Sequence, residues 1–293
     1  MYAPPRLSIL PLRVRLRLGA ALPWPQRERG NTLRGAVGMA LAAQACTPGC
    51  AGQLTCSDWR ACAYARVFRP QWSVPGRQGF CPSPYLLRPP LDDDSGYGAG
   101  QEFDFELRLL GRAMEDAATV NRALASLRRV RDTPVEVLNI EPGSVIQLEN
   151  LAAGPAASSA DVTFLTPTEL KTRDETADLP TFPLLIKHLT GRLADLCRSC
   201  GAAPWTADLG GLRRLAEQAE ITTWRGAKVR SYRHSSASGQ THPVGGVIGT
   251  VRYSGMDPVL WPLLRMGEQI HVGHGAAWGH GWFTVQPIKE STT

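Results

Sequence analysis

Four glycines crowd a nine-residue stretch near the end of the chain, where His271 to Val285 reads HVGHGAAWGHGWFTV. Glycine weakens a regular helix or strand by about 1 kcal/mol relative to alanine, so this density indicates backbone that bends sharply or lies close to another group. The glycine motifs of dinucleotide-binding folds and P-loops follow a strand and open a helix. Here the glycines follow a helix-like segment and precede a strand-like one, and the chain contains no G-K-[ST]. Both nucleotide-binding folds are therefore excluded.

Strand-like and helix-like segments alternate in two successive rounds along the chain. In the first round, leucine or valine alternates with arginine over residues 12–18, which predicts a half-buried strand with a uniformly basic solvent face. Residues 31–44 and 116–130 have helical patterns, and residues 102–110 between them alternate phenylalanine or leucine with charged residues. The first half of the chain therefore predicts a mixed unit of strands and helices.

The second round begins after residues 141–160, a stretch of small residues that we interpret as a linker. A strand-like segment at 161–170 and a long helix at 182–200 are followed by a hairpin, a short helix and a final strand. Two such rounds predict an α+β fold of two tandem ferredoxin-like (RRM-like) domains. We assign the domains to residues 1–145, with a cysteine-rich insertion at 45–82, and 158–293, with the glycine-rich loop at 273–281.

Positive charge in this chain comes almost entirely from arginine. The net charge is +6, and 28 of the 32 basic residues are arginine. Arginine makes bidentate phosphate contacts and stacks on bases, which suits RNA binding, but a GC-rich genome explains the bias equally well. No run of 18 apolar residues is present, so no membrane span is expected. The N-terminus lacks the apolar stretch of a signal peptide, which favours a cytoplasmic protein.

Several segments, in order, resemble one family. The segment GHGAAWGHG resembles the C-terminal glycine-rich loop of the RAMP superfamily of CRISPR systems. Within that superfamily, the precursor-RNA processing endoribonucleases have segments similar to LRGAVGMAL, CAYARVF, LLRPP, TFLTPTEL, WRGAKVRSYRHSS and PVGGVIGTVRYSG of this chain. The resemblance spans nearly the whole chain and rests on the ordered combination of segments rather than on any single motif.

The resemblance implies two ferredoxin-like domains and a defined RNA reaction. Members of the family cut CRISPR repeat RNA without a metal: the 2′-hydroxyl beside the scissile bond attacks phosphorus and leaves a 2′,3′-cyclic phosphate and a 5′-hydroxyl. The expected partner is therefore CRISPR repeat RNA, the precursor of guide RNAs, together with subunits of a CRISPR effector complex. A second hypothesis stays open, namely a non-cleaving subunit that only holds the processed RNA.

The candidate catalytic residues lie in the second half of the chain. Family members often carry a histidine around the first helix, but no histidine precedes His188 here. His234 is the leading candidate, because Arg230 and Tyr232 share its strand face by the two-residue period and Lys228 is close in sequence. A basic hairpin that only holds RNA is the alternative. The expected RNA-binding residues are Arg34, Arg233, His271, Gly273, His274, Gly275, Gly279 and Gly281.

Four cysteines are clustered in the insertion with the spacing C-x3-C-x5-C-x5-C. Disulfides are unusual in a cytoplasmic protein, whereas four nearby thiolates can hold a tetrahedral zinc ion that orders a loop-rich segment. An iron–sulfur cluster and unligated thiols stay open as alternatives. With four thiolate ligands the metal has no open position, so its expected role is structural. The ligands would be Cys46, Cys50, Cys56 and Cys62.

Overall fold

The computed structural model describes residues 2–46, 50, 60–71, 81–92, 95–153, 156–172, 175–234 and 241–288, of which 231–234 and 241–244 are described by their backbone alone. The chain divides into two compact units. The N-terminal unit comprises Arg6–Gln147 and Asp195–Ala203, and the C-terminal unit comprises Met1–Pro5, Leu148–Ala194 and Pro204–Thr293.

The N-terminal unit is an antiparallel sheet with helices packed on one face. Its elements are β1 Ser8–Leu18, β2 Leu22–Pro23, α1 Gln26–Ala45, α2 Ala63–Phe68, β3 Tyr85–Arg88, β4 Gly96–Tyr97, β5 Glu102–Leu110, α3 Ala117–Ala125, β6 Arg129–Val130, β7 Thr133–Pro142 and β8 Ile146–Gln147. The sheet order is β3-β5-β1-β7-β6, β8 pairs with β1, and a separate pair joins β2 to β4. Leu33, Val37 and Leu41, spaced four apart on α1, are buried and form the helix side of the core.

The outward face of this sheet carries balanced charge. Arg15 on β1 donates to Asp104 at 2.9 Å, and Arg17 donates to Glu102 at 2.8 Å. The prediction of a uniformly basic face is therefore wrong, because β5 and β7 place carboxylates directly opposite the arginines of β1. The register puts five arginines and five carboxylates on this face: Arg13, Arg15, Arg17, Arg88 and Arg108 with Glu102, Asp104, Glu106, Glu136 and Glu141.

A buried arginine fixes the start of α1. The side chain of Arg29 is fully buried, and its Nε donates to the carbonyl of Trp24 at 3.1 Å. Its Nη1 donates to the carbonyl of Pro90 at 3.1 Å and forms an ion pair with Asp92, while the guanidinium lies 5.2 Å from the ring centre of Tyr97. These bonds satisfy a charge that burial would otherwise make unfavourable, and they tie α1 to the loop after β3.

The C-terminal unit is also a sheet with helices packed on one face. Its elements are β9 Ala160–Thr168, β10 Lys171–Thr172, β11 Glu175–Thr176, α4 Phe182–Cys200, α5 Leu209–Ala216, β12 Glu220–His234, β13 Thr241–Ser254, α6 Trp261–Ile270 and β14 Phe283–Pro287. The last six residues of α4 fall in the N-terminal unit. The antiparallel sheet order is β12-β13-β9-β14, and β10 and β11 form a small separate hairpin.

Large apolar side chains fill the space between this sheet and its helices. Phe164 of β9 and Phe283 of β14 lie with ring centres 6.0 Å apart, and both are buried. Gly267 lets α6 approach closely, since a Cβ at this position would lie 2.6 Å from the Phe283 ring and 2.7 Å from Leu189 of α4. The inward-facing apolar side chains of the strands and the apolar faces of α4 and α6 therefore pack into one core.

The longest strand pair extends beyond its sheet. β12 and β13 are paired from Glu220–Ser254 to His234–Thr241, whereas β13 pairs with β9 only as far as Val247–Thr168. Residues 228–234 and 241–247 therefore form the free end of a two-stranded hairpin, which we call the ribbon.

Short structured segments occupy the predicted linker. Between residues 141 and 160 the structure shows the end of β7, β8 and a 3₁₀ helix at Leu148–Ala152. The linker prediction is therefore only partly correct, because Ile146 and Gln147 pair with β1 and Leu148–Ala152 form a helical turn. Most of the cysteine-rich insertion lies outside the described residues. In the described part of the chain, no helix has the length and apolar character needed to cross a membrane.

Candidate functional site

The glycine-rich loop, residues 273–281, is fastened at both ends by backbone hydrogen bonds. The N–H of Val272 donates to the carbonyl of Gly281 at 3.0 Å, and the N–H of Gly281 donates to Pro167 at 3.0 Å. Gly281 has a φ of 68°, and a Cβ there would lie 1.7 Å from the carbonyl oxygen of Val272. Gly273 has a φ of 79°, and a Cβ there would lie 2.3 Å from the carbonyl oxygen of Glu169. Sharp bending and close backbone approach, both predicted from the sequence, are confirmed at these positions.

Some N–H groups of the loop have no partner in the described part of the protein. The N–H groups of Trp278 and His280 both donate to the carbonyl of Gly275, which closes a tight turn. Within the described residues, the N–H groups of Gly273, Gly275 and Ala277 donate to no acceptor. All three residues are only half-buried. The loop therefore offers backbone donors of the kind that bind phosphate oxygens.

The three histidines of the loop region have different environments. His271 is fully buried, and its ring stacks on Trp282 with centres 5.9 Å apart. His280 is also buried, and burial lowers its pKa to about 4, with a further contribution from His274. His274 is exposed, and its ring meets Trp278 edge-on with centres 5.7 Å apart. Of the three, His274 is the one whose side chain is accessible to a ligand.

Glu169 joins three elements at one point. Its carbonyl accepts the N–H of His274 at 3.0 Å, which links it to the glycine-rich loop. Its side chain is 10% exposed, lies 3.3 Å from the Nζ of Lys171 and accepts the hydroxyl of Thr176 at 3.2 Å. On the other side, a Cβ at Gly246 of β13 would lie 2.6 Å from the Glu169 nitrogen. The loop, the β10–β11 hairpin and the ribbon therefore meet around Glu169.

The predicted catalytic residues lie along the ribbon strand. The Nζ of Lys228 donates to Asp178 at 2.6 Å and to the carbonyl of Thr176 at 3.0 Å. This hydrogen bond and the charge of Lys228 lower the pKa of Asp178. Arg230 is exposed two residues further along the same strand face. The structure thus places Lys228 beside the β10–β11 hairpin that contacts Glu169, with Arg230 two residues further along the strand.

The rest of the predicted catalytic group is located by backbone alone. Tyr232 pairs with Pro243 and His234 pairs with Thr241, at positions that continue the alternation from Arg230. The side chains of these residues and of Arg233 lie outside what the structure describes. Their proposed roles stay predictions.

Arg34, predicted to bind RNA, belongs to the N-terminal unit. It lies on α1, is half-buried, and its Nε donates to the hydroxyl of Tyr85 at 3.2 Å. Because Tyr85 is fully buried, this contact holds the arginine stem against the core of its own unit.

Two cysteines of the insertion, Cys46 and Cys62, come close together. The Sγ atoms of Cys46 and Cys62 are 4.0 Å apart, near the roughly 3.8 Å expected for two thiolates on one tetrahedral zinc ion. Burial, followed by the proximity of Cys62 and Cys50, raises the pKa of the Cys46 thiol to about 11. Cys56 lies outside the described residues. Among the described residues, no group of three or more side chains is arranged to hold a metal. The zinc site stays a prediction.

Sequence patterns alone did not identify Glu169 and Lys171 as site residues. They follow β9 directly, in a segment where no periodicity marks them. The available signal was the segment TFLTPTEL, which resembles the endoribonuclease family and ends one residue before Lys171. The bridge between Glu169 and His274, 105 positions apart, becomes evident only in the folded chain.

Comparisons with known proteins match both halves of the chain. Residues 7–134 match a family model described as an N-terminal domain, and residues 162–283 match the model of the CRISPR-associated endoribonuclease Cas6. No curated protein matches the chain.

Solved structures share the fold along the full length. A Cas6 product complex is similar with a TM-score of 0.60 at 18% identity, covering 96% of this chain and 100% of that one. Thermus thermophilus Cas6 gives 0.56 at 16% identity, with 98% and 100% covered. A partial Cas6-RT-Cas1–Cas2 complex gives 0.63 at 12% identity, with 100% and 48% covered. These similarities confirm the predicted α+β fold of two tandem ferredoxin-like domains.

Proposed function

Because the chain is a CRISPR-associated endoribonuclease of the Cas6 type, within the RAMP superfamily, we propose that it cuts CRISPR repeat RNA in the cytoplasm to generate guide RNAs. The cut needs no metal: the 2′-hydroxyl attacks the neighbouring phosphorus, and the products carry a 2′,3′-cyclic phosphate and a 5′-hydroxyl.

One observation carries this proposal. The glycine-rich loop is held rigidly against Glu169, with donors on Gly273, Gly275 and Ala277 left for a ligand, and the basic ribbon meets the same point. Backbone donors and nearby cations together suit a polyanionic chain that must be held in one register. RNA is such a ligand, and its 2′-hydroxyl supplies the nucleophile.

The ribbon supplies the proposed chemistry. Cleavage of this kind needs a proton acceptor, a proton donor and cations for the charge that develops on phosphorus. His234 is the proposed proton donor to the leaving oxygen, and Tyr232, two positions earlier on β12, is proposed to assist it. Arg230, which is exposed, offsets the charge on phosphorus. Lys228 is held by Asp178 and orients the ribbon.

Two further parts of the proposal concern partners and metal. Similarity to a Cas6-RT-Cas1–Cas2 complex supports binding to other Cas proteins. Effector subunits are a further proposed partner. The approach of Cys46 and Cys62 supports a structural zinc ion held with Cys50 and Cys56, away from the reaction.

A second candidate function is favoured by one feature of the sequence. No histidine occurs in the first 187 residues, including α1, where related enzymes often carry one. A protein that only holds the processed RNA within an effector complex would need no proton-transfer group. It would still need the glycine-rich loop and the ribbon.

The deciding experiment is a cleavage assay on the repeat RNA from the protein's own locus, in EDTA, with both product ends mapped. We expect a single cut with a cyclic-phosphate end, and a drop of about 100-fold or more for His234→Ala. The matched control is the same RNA with a 2′-deoxy nucleotide before the cut, which should bind but stay intact.

Folding must be monitored by circular dichroism because EDTA can remove a structural zinc. Binding by folded protein without any cut would support the RNA-holding subunit instead. Cleavage of the 2′-deoxy RNA would contradict attack by the 2′-hydroxyl.

A further inference from the structure

Metal-free RNA cleavage needs a group that accepts a proton from the substrate, and imidazole is suited to this near neutral pH. Four histidines have described side chains. His188 has its Nε2 3.1 Å from both the N–H and the carbonyl of Lys171, and burial lowers its pKa. His271 is fully buried. His280 is buried as well and stays neutral near pH 7, because burial lowers its pKa to about 4. Among these four, His274 is the exposed one.

The position of His274 is fixed on several sides. It lies between Gly273 and Gly275, whose N–H groups donate to no acceptor within the described residues and are available to a phosphate. Its own N–H donates to the carbonyl of Glu169 at 3.0 Å, and this hydrogen bond holds the backbone of His274 in place. The edge-on contact with Trp278 limits the rotation of its ring. An imidazole held this way stands next to whatever phosphate the loop binds.

The charged surroundings of His274 are set by residues near in space. Glu169 contributes a largely buried carboxylate, and Lys171 lies 3.3 Å from that carboxylate. The rings of His274 and His280 both lie against the Trp278 ring, with centres 5.7 and 6.4 Å from it. Glu169 is paired with His274 through a backbone bridge. These titratable groups come from the loop itself and from the segment packed against it. A buried carboxylate in a binding site for a polyanion is unfavourable unless it is paired with a positively charged group.

On the basis of the function proposed above, we propose that His274 is the proton acceptor of the cleavage reaction and that Glu169 is its positioning residue. The neutral imidazole of His274 takes the proton of the 2′-hydroxyl. The bond from O2′ to phosphorus forms while the bond from phosphorus to O5′ breaks. The departing O5′ takes a proton from the imidazolium of His234 on the ribbon. Lys171, held by Glu169, lies beside the negative charge on the phosphate oxygens.

The test is single-turnover cleavage by the full-length protein with saturating enzyme, over a range of pH, together with the Kd for uncut 2′-deoxy repeat RNA. His274→Ala should cut about 100-fold more slowly at neutral pH, while its Kd stays within about 3-fold of wild type. The rise of the rate with pH on the acidic side should vanish in this variant, because the group that must lose its proton is gone. Added imidazole should restore part of the rate.

Two further variants separate chemistry from structure. Glu169→Gln keeps the size and hydrogen-bonding atoms of the side chain, so it should fold, bind RNA and cut more slowly, with its acidic limb moved along the pH axis. Lys187→Ala is the control, since Lys187 is an exposed cation on α4 outside the site, and its rate, Kd and pH profile should match wild type.

The outcomes distinguish this inference from the proposed function. If wild type cuts and His274→Ala cuts equally fast with the same pH profile, His274 is not the acceptor. If His274→Ala loses affinity but keeps the saturated rate, it only holds RNA and the inference is overturned. If wild type binds without cutting, the proposed function fails and the inference fails with it.

Discussion

Burial, more than residue type, separates the histidines of the glycine-rich loop. His271 and His280 are enclosed, whereas His274 reaches solvent although it lies only three and six positions away from them. Burial lowers the pKa of His280 to about 4, so this imidazole is a neutral packing group near pH 7. His271 stacks on Trp282. At the scale of single residues, then, one short stretch provides both the packing that shapes the loop and the group available for proton transfer.

His280 should make folding stability depend on pH in a defined window. Its pKa is about 4 in the folded protein, against an ordinary value of 6.5. Between these values the unfolded chain binds more protons than the folded one, so stability is full above pH 6.5 and falls as the pH drops towards 4. The loss should approach about 3 kcal/mol. Urea unfolding at pH 7, 6 and 5 measures it.

The matched variant for this prediction is His280→Asn, which removes the titrating ring while keeping a polar side chain. Its stability should vary less with pH than that of wild type between pH 6.5 and 4. Burial also lowers the pKa of His188, so part of the pH dependence of stability should remain in both proteins. Equal slopes in the two proteins would show that His280 does not carry the effect.

At the scale of elements, short sequence patterns correctly predicted those strands, helices and bends that depend on interactions between residues close in sequence. The alternation in β1, the helical stripe of Leu33, Val37 and Leu41, and the bends of the glycine-rich loop all follow from short-range periodicity and glycine geometry. The charge on the β1 face did not follow, because its carboxylates come from β5 and β7, about 90 to 120 positions away. The same limit hid the bridge between Glu169 and the loop.

The loop's shape should depend on Gly281 lacking a side chain. Alanine there would place its Cβ 1.7 Å from the Val272 carbonyl oxygen, in a backbone conformation with a φ of 68°. We expect Gly281→Ala to lower the free energy of unfolding by about 3 kcal/mol or more and to weaken RNA binding. Thermal unfolding and a binding titration measure the two effects.

Gly191→Ala is the control for the same chemical change. Gly191 lies within α4, and a Cβ there would meet nothing within 4 Å. Alanine in a helix interior should raise stability by up to about 1 kcal/mol. Similar destabilisation in both variants would mean that Gly281 is not specially constrained.

At the scale of the whole molecule, the positive charge available to RNA differs from one surface to another, although the net charge is +6. On the outward face of the N-terminal sheet, five arginines stand among five carboxylates. Arg15, for example, is already bound to Asp104. On the ribbon, Arg230 is exposed and has no ion pair within the described residues. Attraction for a polyanion should therefore come from the ribbon, although the sheet face holds more arginines.

Two arginine substitutions test this division. Arg230→Ala should raise the Kd for repeat RNA several-fold at low salt and reduce the slope of log K against log[salt] by about 0.7, the value for one contact to a single-stranded phosphate. Arg15→Ala should change both far less, because Arg15 is already bound to Asp104 and Arg13 still pairs with that carboxylate in the variant. Titrations at four salt concentrations give both quantities for each variant. An equal loss of RNA affinity in the two variants would mean that RNA also lies across the sheet face. It would then have to displace the carboxylates from the arginines of that face in order to bind.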